Sequence, residues 1–180
     1  MPKTPKSTWH RLNTVNNNMA TSEKNLSYYD ESTMPDASGM RIGIVVSEWN
    51  PDITEKLAEG ARNTLLRLGV KEENITLWHV PGSFELIYGA RRMQDNAFLD
   101  AIIAVGSIIR GETPHFDYVC QAVSQGIKDL NVRGNIPVVF CVLTDDTKQQ
   151  AIDRSGGRHG NKGVDCAAAA IKMAWLKQNS

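Results

Sequence analysis

From residue 40 onward, short apolar runs alternate with stretches whose apolar positions recur every three or four residues. Residues 41–46 form a β-branched run of strand length. Asn50-Pro51 then supplies a helix N-cap followed by proline at the first helical position. Ile53, Leu57, Ala61, Leu65 and Leu68 repeat at helical spacing, and Gly69 is a good C-terminal stop. Residues 74–80 predict a second strand, broken by Pro81-Gly82, and 83–96 a second helix. Residues 100–106 are continuously apolar, as a strand buried on both faces requires. A polar turn over 110–115 precedes a helix over 116–131, a strand over 137–143 and a short helix over 146–155. A glycine-rich stretch, 156–163, leads into a last helix over 164–177 with an alanine run. Strands alternating with helices predict an α/β protein: a three-layer α/β/α sandwich around a four-stranded parallel sheet.

The first 39 residues have a different texture. They are rich in Asn, Ser, Thr and Pro, and their few apolar residues keep no period. Such a stretch cannot bury enough surface to offset its ordering entropy, so 1–39 reads as a flexible extension and 40–180 as the domain. Met19 follows three asparagines and is the expected start, with 1–18 upstream of it; an intact mass that includes Met1, for protein made from the native gene, would sink that expectation. Residues 25–35 are a candidate edge strand on a neighbouring subunit. No secretory apolar region stands at the start.

Composition narrows the function. Twenty basic and twenty acidic residues cancel, so no global field draws nucleic acid or an anionic membrane. No apolar run reaches the roughly 18 residues of a bilayer span. Cys120, Cys141 and Cys166 are odd in number, widely spaced and set in apolar segments, which fits reduced core thiols in a cytoplasmic protein. No histidine pair has metal spacing, and Walker, GxGxxG and GxSxG motifs are absent, so no metal or cofactor is expected.

In open parallel sheets ligands bind beyond the carboxyl ends of the strands. Two of those segments are richer than a simple connection needs. Residues 106–115 carry Gly111 for close backbone approach, Thr113-Pro114 to begin a helix, and His115 at that helix start, where it can serve as a base. The same segment also reads as a capped loop with a surface histidine. Residues 81–85 either cradle a polar ligand or simply turn a strand into a helix with Glu85 complementing the dipole. Trp49, after the first strand, either stacks on a planar heterocycle or packs on its own chain. The cations Arg154, Arg158, His159 and Lys162 among glycines suggest close approach to an anion. His79 reads as a packed or edge residue, and His10 lies in the tail.

Together, residues 80–85, 106–119 and 160–165 resemble the lumazine synthase family, with the resemblance running from about Met40 to the C-terminus. It implies a flavodoxin-like fold and the condensation of 5-amino-6-(ribitylamino)uracil with 3,4-dihydroxy-2-butanone 4-phosphate to 6,7-dimethyl-8-ribityllumazine. By that resemblance His115 transfers protons and Asp165 orients or polarises it. Arg154, from a neighbouring subunit, binds phosphate with Gly111, Glu112 and Thr113. Trp49 stacks on the pyrimidine. Asn50, Ser83 and Glu85 hold the ribityl chain, with Phe84 and Ser107 also in contact. Ile108 and Ile109 meet the pyrimidine edge, and the neighbour adds Phe140 and Lys162. The resemblance further implies pentamers, twelve of them in an icosahedral shell, and association with riboflavin synthase. Trp49 stands where Phe is frequent, and Glu112 where a small residue is common, so its side chain is expected to point away from the phosphate. The competing readings are a cage without catalysis, a flavin- or lumazine-binding module, and a related riboflavin synthase of the same fold. The retained His115, Arg154, Lys162 and Asp165 weigh against them.

Overall fold

A computed structural model describes residues 29–95 and 98–180. Its centre is a parallel sheet of four strands: β1 (Ile42–Ser47), β2 (Ile75–Val80), β3 (Ala101–Ile109) and β4 (Val138–Asp145), in the order β2-β1-β3-β4. The two inner strands are the continuous apolar runs; every residue of β1 is buried, as is all of β3 but its last. An inner parallel strand is covered on both faces, so it tolerates no polar alternation. β2 lies at an edge and leaves Leu77, Trp78 and His79 exposed. His79 Nε2 lies 3.0 Å from Glu55 Oε1, an edge contact rather than a ligand set.

Period-two alternation divides the sheet residues between two cores. Ile42, Ile44 and Val46, with Ala101, Ile103 and Val105, face the helices α1 (Pro51–Arg67) and α5 (Lys162–Gln178). Val45, Ile102, Ala104 and Ile108 face α2 (Leu86–Gln94) and α3 (His115–Arg133) on the other side. The buried stripe of α5 is mostly small (Gly163, Ala167, Ala168, Ala170 and Ala174, with Ile171), which lets it lie close against α1. The layered α/β/α sandwich expected from the sequence is therefore the observed one, and its strand order is that of flavodoxin-like sheets.

Several boundaries differ from expectation, each for a visible reason. β3 runs on to Ile109 and β4 to Asp145, because they pair in register from Ile102↔Val138 to Ile109↔Asp145. α2 begins at Leu86; Ser83–Glu85 are a turn, in which Ser83 O accepts from Leu86 N. The helix α4 (Lys148–Arg154) starts with a capping box: Gln150 N donates to Thr147 Oγ1, while the Gln150 side chain accepts from Thr147 N. The glycine-rich stretch is a small hairpin, β5 (Ser155–Gly157) and β6 (Gly160–Asn161), with Gly156 and Gly160 at φ of 123° and 76°. Those two glycines take the left-handed conformations that the turn requires.

Upstream, packing reaches beyond the boundary drawn at Met40. Ala37 is fully buried and Met34 packs on the α1/α5 core, while Arg67 donates to Tyr29 Oη and pairs with Glu31. Within the segment offered as an edge strand, Glu31–Thr33 form a 3-10 turn; residues 1–28, Met19 included, lie outside the described residues. The three cysteines are free. Among the described residues no helix is long and apolar enough to cross a membrane.

Candidate active site

The chain leaves β1 toward one edge of the sheet and β3 toward the other, so a crevice opens at the carboxyl ends of these two neighbours. Asn50 sits at its base. The residue is in the left-handed conformation (φ 58°) and makes no side-chain cap to α1, contrary to expectation. Its Nδ2 instead donates across the crevice to Ser107 O at 3.1 Å, tying the end of β1 to β3. The crevice, about 630 Å³, is lined by Trp49, Ser83–Glu85, Ser107–Ile109, Gly111, Thr113, His115 and Phe116, among others. That volume suits a small polar heterocycle with a side chain.

Its walls divide by chemistry. Trp49 is 69% exposed and Phe84 56%, so the indole is not packed against its own chain; its face is available for stacking. In the floor, Ser83 Oγ and Ser107 Oγ are buried without a hydrogen-bond partner. Buried hydroxyls normally find partners, so these two are suited to a hydroxylated ligand. His115 is the first residue of α3, whose start has no side-chain cap. The helix therefore presents open amides and the positive end of its dipole beside Gly111 and Thr113. Glu112 is exposed and outside the lining.

Phe140, Arg154 and Lys162 are elsewhere. They line a second cavity of about 340 Å³ along edge strand β4, shared with Asp145, Cys141 and Cys166. The capping box fixes the register of α4, which ends on Arg154. The Arg154 guanidinium donates to Gln150 O at 3.0 Å and lies 3.6 Å from Asp145 Oδ1. Asp145 is buried and its Oδ2 has no partner; burial raises its pKa, opposed by Arg154 and assisted by Asp146. Lys162 Nζ donates to Asp165 Oδ2 at 2.7 Å. Burial likewise raises the Asp165 pKa, against the pull of Lys162. Cys166 Sγ donates to Phe140 O at 3.8 Å; its nearness, with burial, raises the Cys141 thiol, while Cys141 lowers the Cys166 thiol against burial. Arg158 pairs with Asp153 and touches His159; neither cation lines either cavity.

Residues 39–178 match the sequence profile of 6,7-dimethyl-8-ribityllumazine synthase. Relatives bearing that name are 59% identical in Christiangramia forsetii, across 90% of this chain and 97% of the relative. One from Parabacteroides distasonis is 59% identical across 86% and 97%, and one from Cytophaga hutchinsonii 50% across the same shares. The chain belongs to the 6,7-dimethyl-8-ribityllumazine synthase family.

Against that family reading, one copy gathers only part of the residue set. The crevice unites Trp49, Ser83, Phe84, Glu85, Ser107, Ile108, Ile109, Gly111, Thr113 and His115, with Asn50 bracing it. Arg154, Lys162 and Phe140 gather at β4, and Asp165 there is paired with Lys162 rather than joined to His115. Sequence reasoning missed Asp145, the carboxylate that faces Arg154. An acid two residues after an apolar run, and nine residues ahead of an arginine on a short capped helix, was the available signal. It also missed Phe116 and Val119 as crevice walls; both sit in the first turns of α3, on the helix face turned to the sheet.

Proposed function

We propose that this chain catalyses the lumazine synthase condensation, joining 5-amino-6-(ribitylamino)uracil to 3,4-dihydroxy-2-butanone 4-phosphate with release of phosphate and water. Each site is composed from two copies. The observation that carries this is the division of one residue set between two cavities of a single chain: a crevice with base and stacking groups, and a cationic pocket on an exposed sheet edge. A ring of copies brings the β4 pocket of one against the crevice of the next.

In the composed site the pyrimidine stacks on Trp49, its edge meets Ile108 and Ile109, and Phe140 of the neighbouring copy closes over it. The ribityl hydroxyls take Asn50, Glu85 and the two unpartnered serines, Ser83 and Ser107. The phosphate lies on the Gly111–Thr113 turn at the start of α3 and against the neighbouring copy's Arg154, whose planar fork matches phosphate oxygens. Each chemical step is an addition, an elimination or a proton transfer. Fixed orientation and one mobile proton at His115 therefore supply the catalysis. Asp165 and Lys162, from the neighbour, set the charge around that imidazole. The oligomer is a pentamer, with twelve pentamers in a hollow shell, because the short 156–163 hairpin resembles shell-forming members. The protein is cytoplasmic, and its shell associates with riboflavin synthase.

The test is an assay with both substrates that follows lumazine absorbance and phosphate together. Both products appear in step above the spontaneous rate if the reading holds; binding without turnover would replace it with a binding module. His115→Ala is expected to slow kcat about 10- to 100-fold, near the low end for general acid–base catalysis, since the histidine is exposed and water can stand in. Sedimentation of the same variant is unchanged. A wild-type rate would remove His115 from the chemistry.

A further inference from the structure

We infer that Arg110 is a positioning residue that sets the phosphate turn from behind and does not itself hold the phosphate. The inference rests on the reading of Gly111–Thr113 as the phosphate cradle. Arg110 directly follows β3, and its backbone N–H donates to Asp145 O at 2.9 Å, so the turn leaves the sheet against the end of β4. Its side chain turns away from the crevice lining. Nε donates to Asp146 Oδ1 at 2.7 Å, and Nη1 donates to Asp117 Oδ1 at 3.2 Å. The guanidinium carbon lies 4.1 Å from the centre of the Phe116 ring.

Those three anchors tie the turn to two elements, the end of β4 and the first turn of α3. Asp146 follows β4, Asp117 lies in the first turn of α3, and Phe116 is a buried wall of the crevice. Everything between Arg110 and Phe116, which is the phosphate turn and His115, is thereby bracketed at both ends. Two carboxylates already neutralise the guanidinium, so it adds little net attraction for an anion. The three charged side chains are all more than two-fifths exposed, and exposed pairs contribute little to stability. The arrangement acts on geometry instead, and it needs arginine: a planar fork can meet two carboxylates while lying on a ring, whereas an ammonium cannot.

The experiment uses the assembled full-length protein. It measures kcat, both Michaelis constants and competitive inhibition by inorganic phosphate for wild type, Arg110→Lys, Asp146→Asn and the double variant. Arg110→Lys is expected to raise the KM for the phosphate substrate and the phosphate Ki together, about 3- to 10-fold, as a slightly misplaced cradle would. The pyrimidine KM stays within about twofold. Asp146→Asn moves the same two constants in the same direction by less, and the double variant is no worse than Arg110→Lys because both act through one contact. If Arg110 were a direct ligand, releasing it by Asp146→Asn would tighten phosphate, and that result overturns the inference. So do unchanged constants, or both KM values rising equally. Should Arg110→Lys fail to fold, Asp146→Asn carries the test alone. Failure of inorganic phosphate to compete in the wild type would instead sink the cradle reading beneath it.

Discussion

Arg154→Ala is expected to raise the KM for the phosphate substrate about 10³-fold while moving the pyrimidine KM little. The arginine is the cation of the β4 pocket that stands over a buried carboxylate. In the proposed site its truncation removes charge-assisted bonds to the phosphate of the adjoining crevice, and it leaves Asp145 without its opposite charge. Removing one partner from a hydrogen-bonded, desolvated charge pair costs about 2–5 kcal/mol, and each 1.4 kcal/mol is tenfold in affinity. Arg154→Lys restores part of the loss, since an ammonium keeps the charge without the fork. Initial rates with each substrate varied in turn check this; equal effects on both would show that the phosphate assignment is wrong.

Gly163→Ala is expected to cost the fold about 3 kcal/mol or more, at or beyond the upper end for overpacking. A methyl group at this position would overlap the carbonyl oxygen of Leu57 and come within 2.8 Å of its carbonyl carbon. The obstacle is α1 backbone, which no rotamer change can move aside, so α5 itself must shift. Asn161, which donates to Lys56 O at 2.8 Å and accepts from Gly163 N, would be displaced with it. Lys162 and Asp165 ride on the same turn, so on the proposed roles residual folded protein loses activity too. Gly39→Ala is the control, with nothing near its added carbon. Urea denaturation midpoints compare the two, and an unchanged midpoint for Gly163→Ala would show that α1 and α5 are less tightly apposed than described.

Which features the sequence carried follows from how local their causes are. Buried parallel strands and amphipathic helices leave period and length in the chain itself, so β1, β3, α1 and α5 were legible to within a few residues. The extension of β3 to Ile109 was not, because it depends on pairing with β4 across the sheet. Trp49 could be either packed or free until the crevice left it bare. Asn50 was legible as a helix start, yet its side chain spans to Ser107, a contact set by topology. The role of Arg110 was illegible for the same reason: Asp146 lies thirty-six positions on. Gly163 read as one of the glycines whose cationic neighbours suggest close approach to an anion. Its real constraint is the backbone of a helix a hundred residues upstream.

The proposed site takes its crevice from one copy and its cation from the next. The direct measurement mixes two impaired proteins, assayed well below saturation with the phosphate substrate: Arg154→Ala, and a crevice variant carrying Trp49→Ala with His115→Ala. They are dissociated together and reassembled at equal amounts. Random mixing pairs an intact crevice with an intact β4 pocket at about a quarter of the interfaces, so about a quarter of wild-type activity is expected to return. Activity no greater than the average of the two parent variants, in particles shown by mass to be mixed, would contradict the account and place the whole site within a single chain.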